Sequence, residues 1–540
     1  MPKIIINGIE TECRDGIPVL QAALEMGLNI PHYCYHPGLS VVASCRLCLM
    51  EMKMKHPKTG ELSWAPKLMP SCQTPVRDGM EVRFDSPAVE QNQRNCMEFF
   101  LLNHPLDCPV CDQAGECYLQ DYSYSFGDGA SRMVDQKHVN PKKDLGPHTL
   151  LYADRCVMCT RCTRFADEIA GTGELCVTNR GSRAEIDVFP GKALDNPLQG
   201  NVVDLCPVGC LLDKDFLFKQ RVWHLRSASS VCPHCATGCA IRVDHNNNVV
   251  YRLKPRYNPG VNDWWMCDAG RFGWKYVQER PRLKGPLLRR GEAVEPLDWS
   301  AAPGAIRFRF EEIARERGAD SIAVVLSPFM ACEEAWLLAT TLRQIAPEAT
   351  LVCGPVPLEE QDQAFPLGAT NGDAKFTISR EKCPNRAGIE AILASLGGNT
   401  LAFADFVTAA TEGKFPGVWI SGGYPNEWVD AALVKAADKI DYLVLHDLFE
   451  SKLCGAAEII IPACPFTERA GCFMNGANKV QPFEWAVNPP DGQKRDGQFF
   501  HDLAGMTGLY RPVKVQLLMA EEMPEFASVR WPPPEPVHQH

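Results

Sequence analysis

Residues 155–171 read RCVMCTRCTRFADEIAG and residues 200–210 read GNVVDLCPVGC, and these two stretches decide how the chain is read. Cys156, Cys159 and Cys162 stand two residues apart, and Cys206 lies directly ahead of Pro207. This is the ferredoxin pattern, in which a tight loop supplies three thiolates and a remote Cys-Pro supplies the fourth. Three further sets follow when the reading moves outward: Cys34, Cys45, Cys48 and Cys72; His104, Cys108, Cys111 and Cys117; Cys232, Cys235, Cys239 and Cys267. Each has closely spaced ligands and at least one that closes the set from further off. An iron–sulfur core needs four mostly soft ligands around a compact body, which such an arrangement supplies.

Disulfides and zinc are the rival uses of these residues. The chain opens MPKIIINGIE, without a basic segment leading into an apolar one, so the 25 cysteines are expected to be reduced thiols. Closed zinc sites share the short gaps. Four sets in series, one carrying the ferredoxin run, favour clusters over four structural zincs. His104 stands where its set lacks a fourth ligand, and an apolar helical stretch over 99–102 leads into it. Spacing alone leaves Cys176, Cys206 and Cys210 as candidates for closing the third set. Cys96, inside the preceding helix, reads as a packed core thiol.

A chain of 540 residues is too long for one core, so several domains are expected. A net charge of -11 argues against a general nucleic-acid binder. No apolar run reaches membrane-spanning length, so any membrane link is expected through partners. KIIIN and 11–13 form a hairpin about Asn7-Gly8, and VLQAALEM forms a helix closed by Gly27. The small residues Gly38, Ser40, Ala43 and Ser44 let backbone amides approach the sulfurs of the first loop. Arg155, Arg161 and Arg164 offset cluster charge or pair with Asp154, Asp167 or Glu168.

Beyond Cys267, the segments ADSIAVVLSP, ATLVCGPV, FPGVWISGGYP, IDYLVLHD and AEIIIPA read as strands. They alternate with helical segments CEEAWLLATTLRQIAP and WVDAALVKAAD, which implies a doubly wound parallel sheet. Gly422-Gly423 reads as a simple turn, and 468–486 as a structural hairpin turning at Asn475-Gly476 and Asn478. Cys353, Cys383, Cys454, Cys464 and Cys472 are scattered and read as buried thiols. The tail WPPPEPVHQH is proline-rich and is expected to be disordered or laid against a partner. Neither a G-x-G-x-x-G turn nor a P-loop is present in the required context.

NHPLDCPVCDQAGECYLQD, RCVMCTRCTRFADEIAG and GNVVDLCPVGC together resemble the iron-sulfur-rich large subunit of NADH-quinone oxidoreductase, respiratory complex I, over residues 1 to about 280. The resemblance implies a 2Fe-2S cluster on Cys34, Cys45, Cys48 and Cys72. It implies 4Fe-4S clusters on His104, Cys108, Cys111 and Cys117, and on Cys156, Cys159, Cys162 and Cys206. A further 4Fe-4S site matches Cys232, Cys235, Cys239 and Cys267. The implied fold is multidomain α+β and α/β: a β-grasp 2Fe-2S ferredoxin-like domain over 1–78, a 4Fe-4S segment over 79–140 and a ferredoxin-like 4Fe-4S domain over 141–222. A four-cysteine domain over 223–280 and a shortened molybdopterin-oxidoreductase-like α/β domain over 281–540, without molybdopterin, complete it.

The role implied is electron transfer from a flavin/NADH-oxidising subunit toward quinone-reducing subunits. The chain itself would do no hydride or quinone chemistry and have no catalytic residue. Its partners would be the flavin subunit and other peripheral-arm iron–sulfur and quinone-site subunits, with no nucleic acid, at the cytoplasmic face of the bacterial inner membrane. The alternatives are an iron–sulfur/molybdopterin subunit of an NAD-linked formate dehydrogenase, disfavoured by the short C-terminal region, and the electron-input subunit of a hydrogenase, whose C-terminal motif is incomplete here. A storage or scaffold role needs no such differentiated ligand sets.

Overall fold

The computed structural model describes residues 1–55, 60–370 and 372–534. The chain forms two compact units, one of residues 1–225 with 364–376 and the other of 226–363 with the segment from 377 onward.

In the first unit, Lys3–Ile6 and Ile9–Glu12 pair antiparallel around Asn7 and Gly8, whose φ angles of 51° and 78° give the tight turn a twisted hairpin requires. Lys3–Ile6 also pairs in parallel with Glu81–Arg83, which pairs antiparallel with Leu49–Lys55; Leu62–Trp64 and Met69–Pro70 complete a six-stranded sheet. The helix Val19–Glu25 ends at Met26, and Gly27 takes up φ 81°. Its Val19, Leu20 and Ala23 pack with Ile4, Ile6, Met50 and Val82, giving a helix grasped by a sheet. The first thiol loop projects from this β-grasp body.

Ser86 caps the next helix, Pro87–Leu101, by accepting from the Val89 N–H at 3.3 Å, and proline at the first helical position needs no donor. Val89, Gln93 and Met97 recur every fourth residue as its buried face, while Phe99 is 72% exposed. Cys96 lies beside that face and is half-buried, with its thiol toward the Arg46 carbonyl. The expected core thiol is therefore a boundary residue.

The second unit begins with a three-stranded antiparallel sheet, Arg226–Val231, Ala240–Asn246 and Val249–Pro255. Its larger sheet has a parallel centre in the order Ile459–Pro462, Tyr442–Asp447, Gly417–Ser421, Ile322–Leu326, Thr350–Cys353, Thr400–Leu401. Leu287–Arg290 and Ala293–Pro296 extend it antiparallel at the Ile459 side. Ile322–Leu326 and Gly417–Ser421 are wholly buried, which is why their sequences run apolar without alternation.

Helices Ala302–Arg317, Cys332–Ile345 and Arg386–Leu396 pack with Ile322, Val324 and Leu326 on one face. Phe403–Thr411 and Ala431–Ala437 pack with Ala323 and Val325 on the other, so the sheet is doubly wound. Cys383, Cys464 and Cys472 are buried as read, but Cys353 and Cys454 are half-buried. Of the proline-rich tail, 535–540 lie outside the described residues, while the Pro534 carbonyl accepts from Ser229 Oγ and Trp531 packs on the core. The described start of the tail thus lies on its own unit. Among the described residues no helix is long and apolar enough to cross a membrane.

Candidate metal centres

The first loop wraps because Ala43 and Arg46 adopt left-handed backbone conformations, φ 51° and 60°. Cys34, Cys45, Cys48 and Cys72 come together at 1%, 9%, 2% and 0% exposure, far beyond what ordinary surface thiols reach. A hydrogen bond from Cys45, aided by the amides of Cys45 and Ser44, pulls Cys34 below the usual thiol range, and one from Cys72 does the same for Cys48. The same bonds, with burial, push their donors Cys45 and Cys72 up, so two of the four sulfurs are favoured as thiolates, the ligand form, and two hold the protons. The Tyr33 N–H donates to Cys45 Sγ at 3.5 Å. Two of the amides expected at the sulfurs are used elsewhere: the Gly38 N–H donates to His36 Nδ1, and the Ser40 N–H donates to Glu168 Oε2.

In the second set, the helix Pro87–Leu101 ends and the chain turns to His104, while Cys108 opens a 3-10 turn, Cys108–Val110. Burial, with Arg155 and Lys137 nearby, lowers His104 to about 4, leaving a neutral imidazole at ordinary pH, as metal ligation requires. Arg155 also acts on Cys111, so His104 and the thiols share one guanidinium. Cys111 and Cys117 are buried and Cys108 is exposed. Burial pushes Cys117 up to about 12, against amide hydrogen bonds from Gln120 and Leu119.

The third set is built on the helix Arg161–Phe165, entered through left-handed Met158 and Thr160 at φ 51° and 58°. The Met158 N–H donates to Cys156 Sγ at 3.3 Å. Cys156, Cys159, Cys162, Cys206 and Cys210 line one cavity. Cys176 does not: it sits half-buried on the strand Leu175–Thr178, its thiol directed to the Asp187 carbonyl. Cys206 acts electrostatically on both Cys159 and Cys162, and its Sγ lies 3.0 Å from the Val208 carbonyl.

Three guanidiniums bind these sets to one another, although not through the carboxylates expected. Arg155 pairs with Asp107 at 2.6 Å and donates to the Gly209 carbonyl at 3.3 Å. Arg161 donates to the carbonyls of Tyr35 and Leu205. Arg164 donates to the Cys34 carbonyl at 2.6 Å, to that of Cys159 at 3.2 Å, and to that of Ser40. Positive charge is thereby held where anionic clusters would sit, anchored by donation to ligand-loop backbone.

Two contacts invisible to spacing join the sets further. Tyr33, fully buried, feels Cys117, Cys45 and Cys159, one thiol from each of the first three sets. A Cβ at Gly209 would collide with Cys111 Sγ, so only glycine lets the third set's closing segment lie against the second. The Tyr118 N–H, next to Cys117, donates to the Pro207 carbonyl at 3.0 Å across the same contact.

The fourth set lies in the second unit. Cys232, Cys235, Cys239 and Cys267 are each 3–4% exposed. Cys267 caps the helix Asp268–Phe272, accepting from the Gly270 N–H at 3.4 Å. A Cβ at Gly270 would stand 2.8 Å from Cys232 Sγ. The hairpin Gly471–Met474 and Val480–Phe483, read from sequence as structural, cradles this loop: Gln481 Nε2 donates to the Gly238 carbonyl at 2.7 Å and Asn475 Nδ2 to that of Thr237 at 3.1 Å. Among the described residues, no three His, Cys, Asp or Glu side chains converge to hold a single metal ion. The donor sets, rich in buried thiols and amide donors and closed by glycine contacts, fit sulfur-bridged clusters.

The larger sheet offers a crevice of its own where its strand order reverses, between Ile322–Leu326 and Gly417–Ser421, the usual ligand position of such sheets. Here Phe329 and Tyr424 pack edge to face at 4.8 Å and Tyr424 stacks on Trp428. The Asp447 carboxylate accepts from the Gly423 N–H and the Leu448 N–H, each at 2.7 Å, and from Trp428 Nε1 at 3.0 Å. Gly422 has no room for a Cβ beside that carboxylate. The glycine pair, read from sequence as a turn, is irregular backbone directly after the strand, with Gly423 at φ 87°, and it wraps a carboxylate the chain supplies.

A β-grasp domain, ferredoxin-like thiol loops and a molybdopterin-oxidoreductase-type α/β body define an iron–sulfur protein of the electron-transfer class. Family models agree along the chain: a 2Fe-2S iron-sulfur cluster binding domain over residues 3–87, an NADH-ubiquinone oxidoreductase-G iron-sulfur binding region over 93–132, and the ferredoxin-like domain of NADH-quinone oxidoreductase subunit 3 over 146–212. A molybdopterin oxidoreductase Fe4S4 domain matches 225–279 and a molybdopterin oxidoreductase domain 386–506. The chain is 36% identical to the G subunit of NADH-quinone oxidoreductase from Rickettsia felis, covering 98% of this chain and 92% of that protein. It is 38% identical to NADH dehydrogenase [ubiquinone] iron-sulfur protein 1, mitochondrial, of Solanum tuberosum over 58% of this chain and 41% of that one. A solved NAD+-reducing NiFe-hydrogenase is 26% identical over 41% of this chain and 91% of its own, at a TM-score of 0.35, too slight a likeness to carry an argument. The chain belongs to the G-subunit family of NADH-quinone oxidoreductase, the iron–sulfur electron-transfer subunits of complex I.

Proposed function

We propose that this chain holds one 2Fe-2S cluster on Cys34, Cys45, Cys48 and Cys72 and three 4Fe-4S clusters. The second cluster is held by His104, Cys108, Cys111 and Cys117, the third by Cys156, Cys159, Cys162 and Cys206, and the fourth by Cys232, Cys235, Cys239 and Cys267. When bound, such clusters supply one-electron relay between a flavin/NADH-oxidising subunit and quinone-site subunits of the peripheral arm. The domains run 1–78, 79–140, 141–222, 223–280 and 281–540, the last without molybdopterin. The complex stands at the cytoplasmic face of the bacterial inner membrane, reached by this chain through its partners.

One observation carries the reading: Arg164 donates to the carbonyls of both Cys34 and Cys159, and Gly209, beside the third set's closing segment, lies against Cys111 Sγ, so the first three sets are built together. What this chain's residues do is positional. Arg155, Arg161 and Arg164 hold positive charge at the ligand loops, and backbone amides point at sulfur. His104 presents a neutral ring to its set.

Metal and acid-labile sulfide analysis of the anaerobically purified chain tests the assignment, with about 14 irons expected per chain and no molybdenum or tungsten. Zinc in place of iron overturns it, and stoichiometric molybdenum or tungsten favours the formate-dehydrogenase alternative. His104→Ala is expected to remove or alter the second cluster's signal while the 2Fe-2S signal remains.

A further inference from the structure

The second unit contains a cavity of about 320 Å³ that no cysteine lines. One wall, with Asn248 and Gln278, belongs to the four-cysteine region, and the other, with Glu468 and Asn488, to the α/β body. The strip 280–284 joins the two and lines the cavity along its whole length. Small-molecule sites of this volume favour such meeting places.

The walls are tied before anything enters. Asn247 and Asn248 take left-handed φ angles of 47° and 65° in the turn between Ala240–Asn246 and Val249–Pro255. There Asn248 bonds Asn488 twice, its Nδ2 donating to the carbonyl at 3.0 Å and its Oδ1 accepting from the N–H at 2.6 Å. Gln278 clasps the Val250 N–H and carbonyl in the same way, at 3.1 and 3.0 Å. The Leu283 N–H donates to the Leu448 carbonyl at 3.0 Å and fixes the strip. Walls already bonded lose little freedom when a ligand binds.

The charge of the cavity is one-sided. Arg282 grips Glu468 through two bonds, at 2.6 and 3.1 Å, with side chains 10% and 4% exposed, so this pair is neutral and turned inward. Arg280 and Lys284 are both exposed, and among the described residues neither has a carboxylate partner. Arg280 rests 3.8 Å from the centre of the Phe449 ring and donates to the Pro425 carbonyl at 2.6 Å. Two uncompensated cations thus stand at one cavity of a chain whose net charge is -11. Beside them Val250, Val277, Leu283 and Val487 give a buried apolar lining.

We propose that this cavity binds a small organic anion, a carboxylate on a compact apolar body, with Arg280 and Lys284 meeting the charge and the valines and Leu283 meeting the body. A guanidinium suits a carboxylate, and the apolar lining favours an organic acid over a bare inorganic anion. Touching both walls, the ligand ties the four-cysteine region to the α/β body. The site does not depend on which metal the thiol sets hold.

The test is calorimetric titration of the full chain, purified anaerobically, with 3-phenylpropanoate, with its neutral amide and with acetate. It is repeated on Lys284→Glu, Lys284→Arg and Arg280→Gln, whose unfolding midpoints serve as the control for folding. The phenylpropanoate is expected to saturate a single site, with the amide and acetate weaker by about tenfold or more. Lys284→Glu and Arg280→Gln are each expected to weaken it by about tenfold, while Lys284→Arg retains it. Absence of saturable binding overturns the proposal, as does equal affinity for acid and amide. An affinity unchanged in both Lys284→Glu and Arg280→Gln also overturns it, because the acid then binds elsewhere.

Discussion

The third and fourth thiol sets have nearly the same ingredients and are built in opposite ways. Around the third, Arg161 and Arg164 reach carbonyls of the first loop and Arg155 pairs with Asp107 of the second, so Arg164 alone joins Cys34, Ser40 and Cys159. Around the fourth, neutral groups of its own unit hold the loop: Gln481 and Asn475 of one hairpin donate to Gly238 and Thr237, and the backbone at Thr377 and Glu381 accepts from Thr237 Oγ1 and the Ala236 N–H. Charged, shared supports make neighbouring centres depend on one another and counter their negative charge. Neutral, private supports make a centre that stands or falls by itself. The difference separates a coupled group of three sets from a fourth that its own unit sustains.

The strongest way to break this comparison is Arg164→Ala. It leaves three carbonyls of the ligand loops without their donor, a cost of about 3 kcal/mol or more. Iron analysis and EPR should show the first and third clusters lost together; loss of only one would refute the coupling. Gly209→Ala comes next, because its methyl must displace Cys111 or the segment carrying Cys206. The expected overpacking cost is about 1–3 kcal/mol, read in denaturant unfolding, with the second and third signals perturbed and the first intact. Gln481→Ala should cost about 1–2 kcal/mol and alter only the fourth signal, since the two bonds it loses, to the Gly238 carbonyl and from Asn258 Nδ2, both lie in the fourth set's own unit.

The smallest effect is a dependence on pH. Burial holds folded His104 near 4, below the 6.5 of a free imidazole, so the unfolded chain binds the extra proton within that window. The stability tied to neutral His104 is complete above about 6.5 and is lost as pH falls toward about 4. Unfolding midpoints measured across this range should fall more steeply for the unsubstituted chain than for His104→Ala.

What was legible of the candidate site is local: in each expected set three of the four residues come from one loop, and loop spacing is written in the sequence. The doubly wound sheet was legible for a similar reason, since strands buried on both faces leave uninterrupted apolar runs such as IAVVL and GVWIS. What could not be read was long-range complementarity. The arginines near the third set have acidic residues beside them in sequence, yet they bond carbonyls of remote loops, because a buried guanidinium seeks acceptors wherever the fold brings them. Cys96 lies in an apolar segment, but its place on the helix turns it to the edge of the buried face. The cradle of the fourth set comes from a hairpin more than two hundred residues away in sequence. The glycine in CPVGC is one usable signal, since it sits between two cysteines at the place where another set has to approach.

The crevice closed by Asp447 has a consequence for how the second unit responds to its surroundings. A fold completed by a bound ligand gains stability with the concentration of that ligand, by mass action. Here the anion seated on the glycine turn is covalently part of the chain, so its local concentration never changes. The stability that this seat lends the unit is accordingly expected to be a fixed property of the polypeptide, unmoved by the supply of any nucleotide.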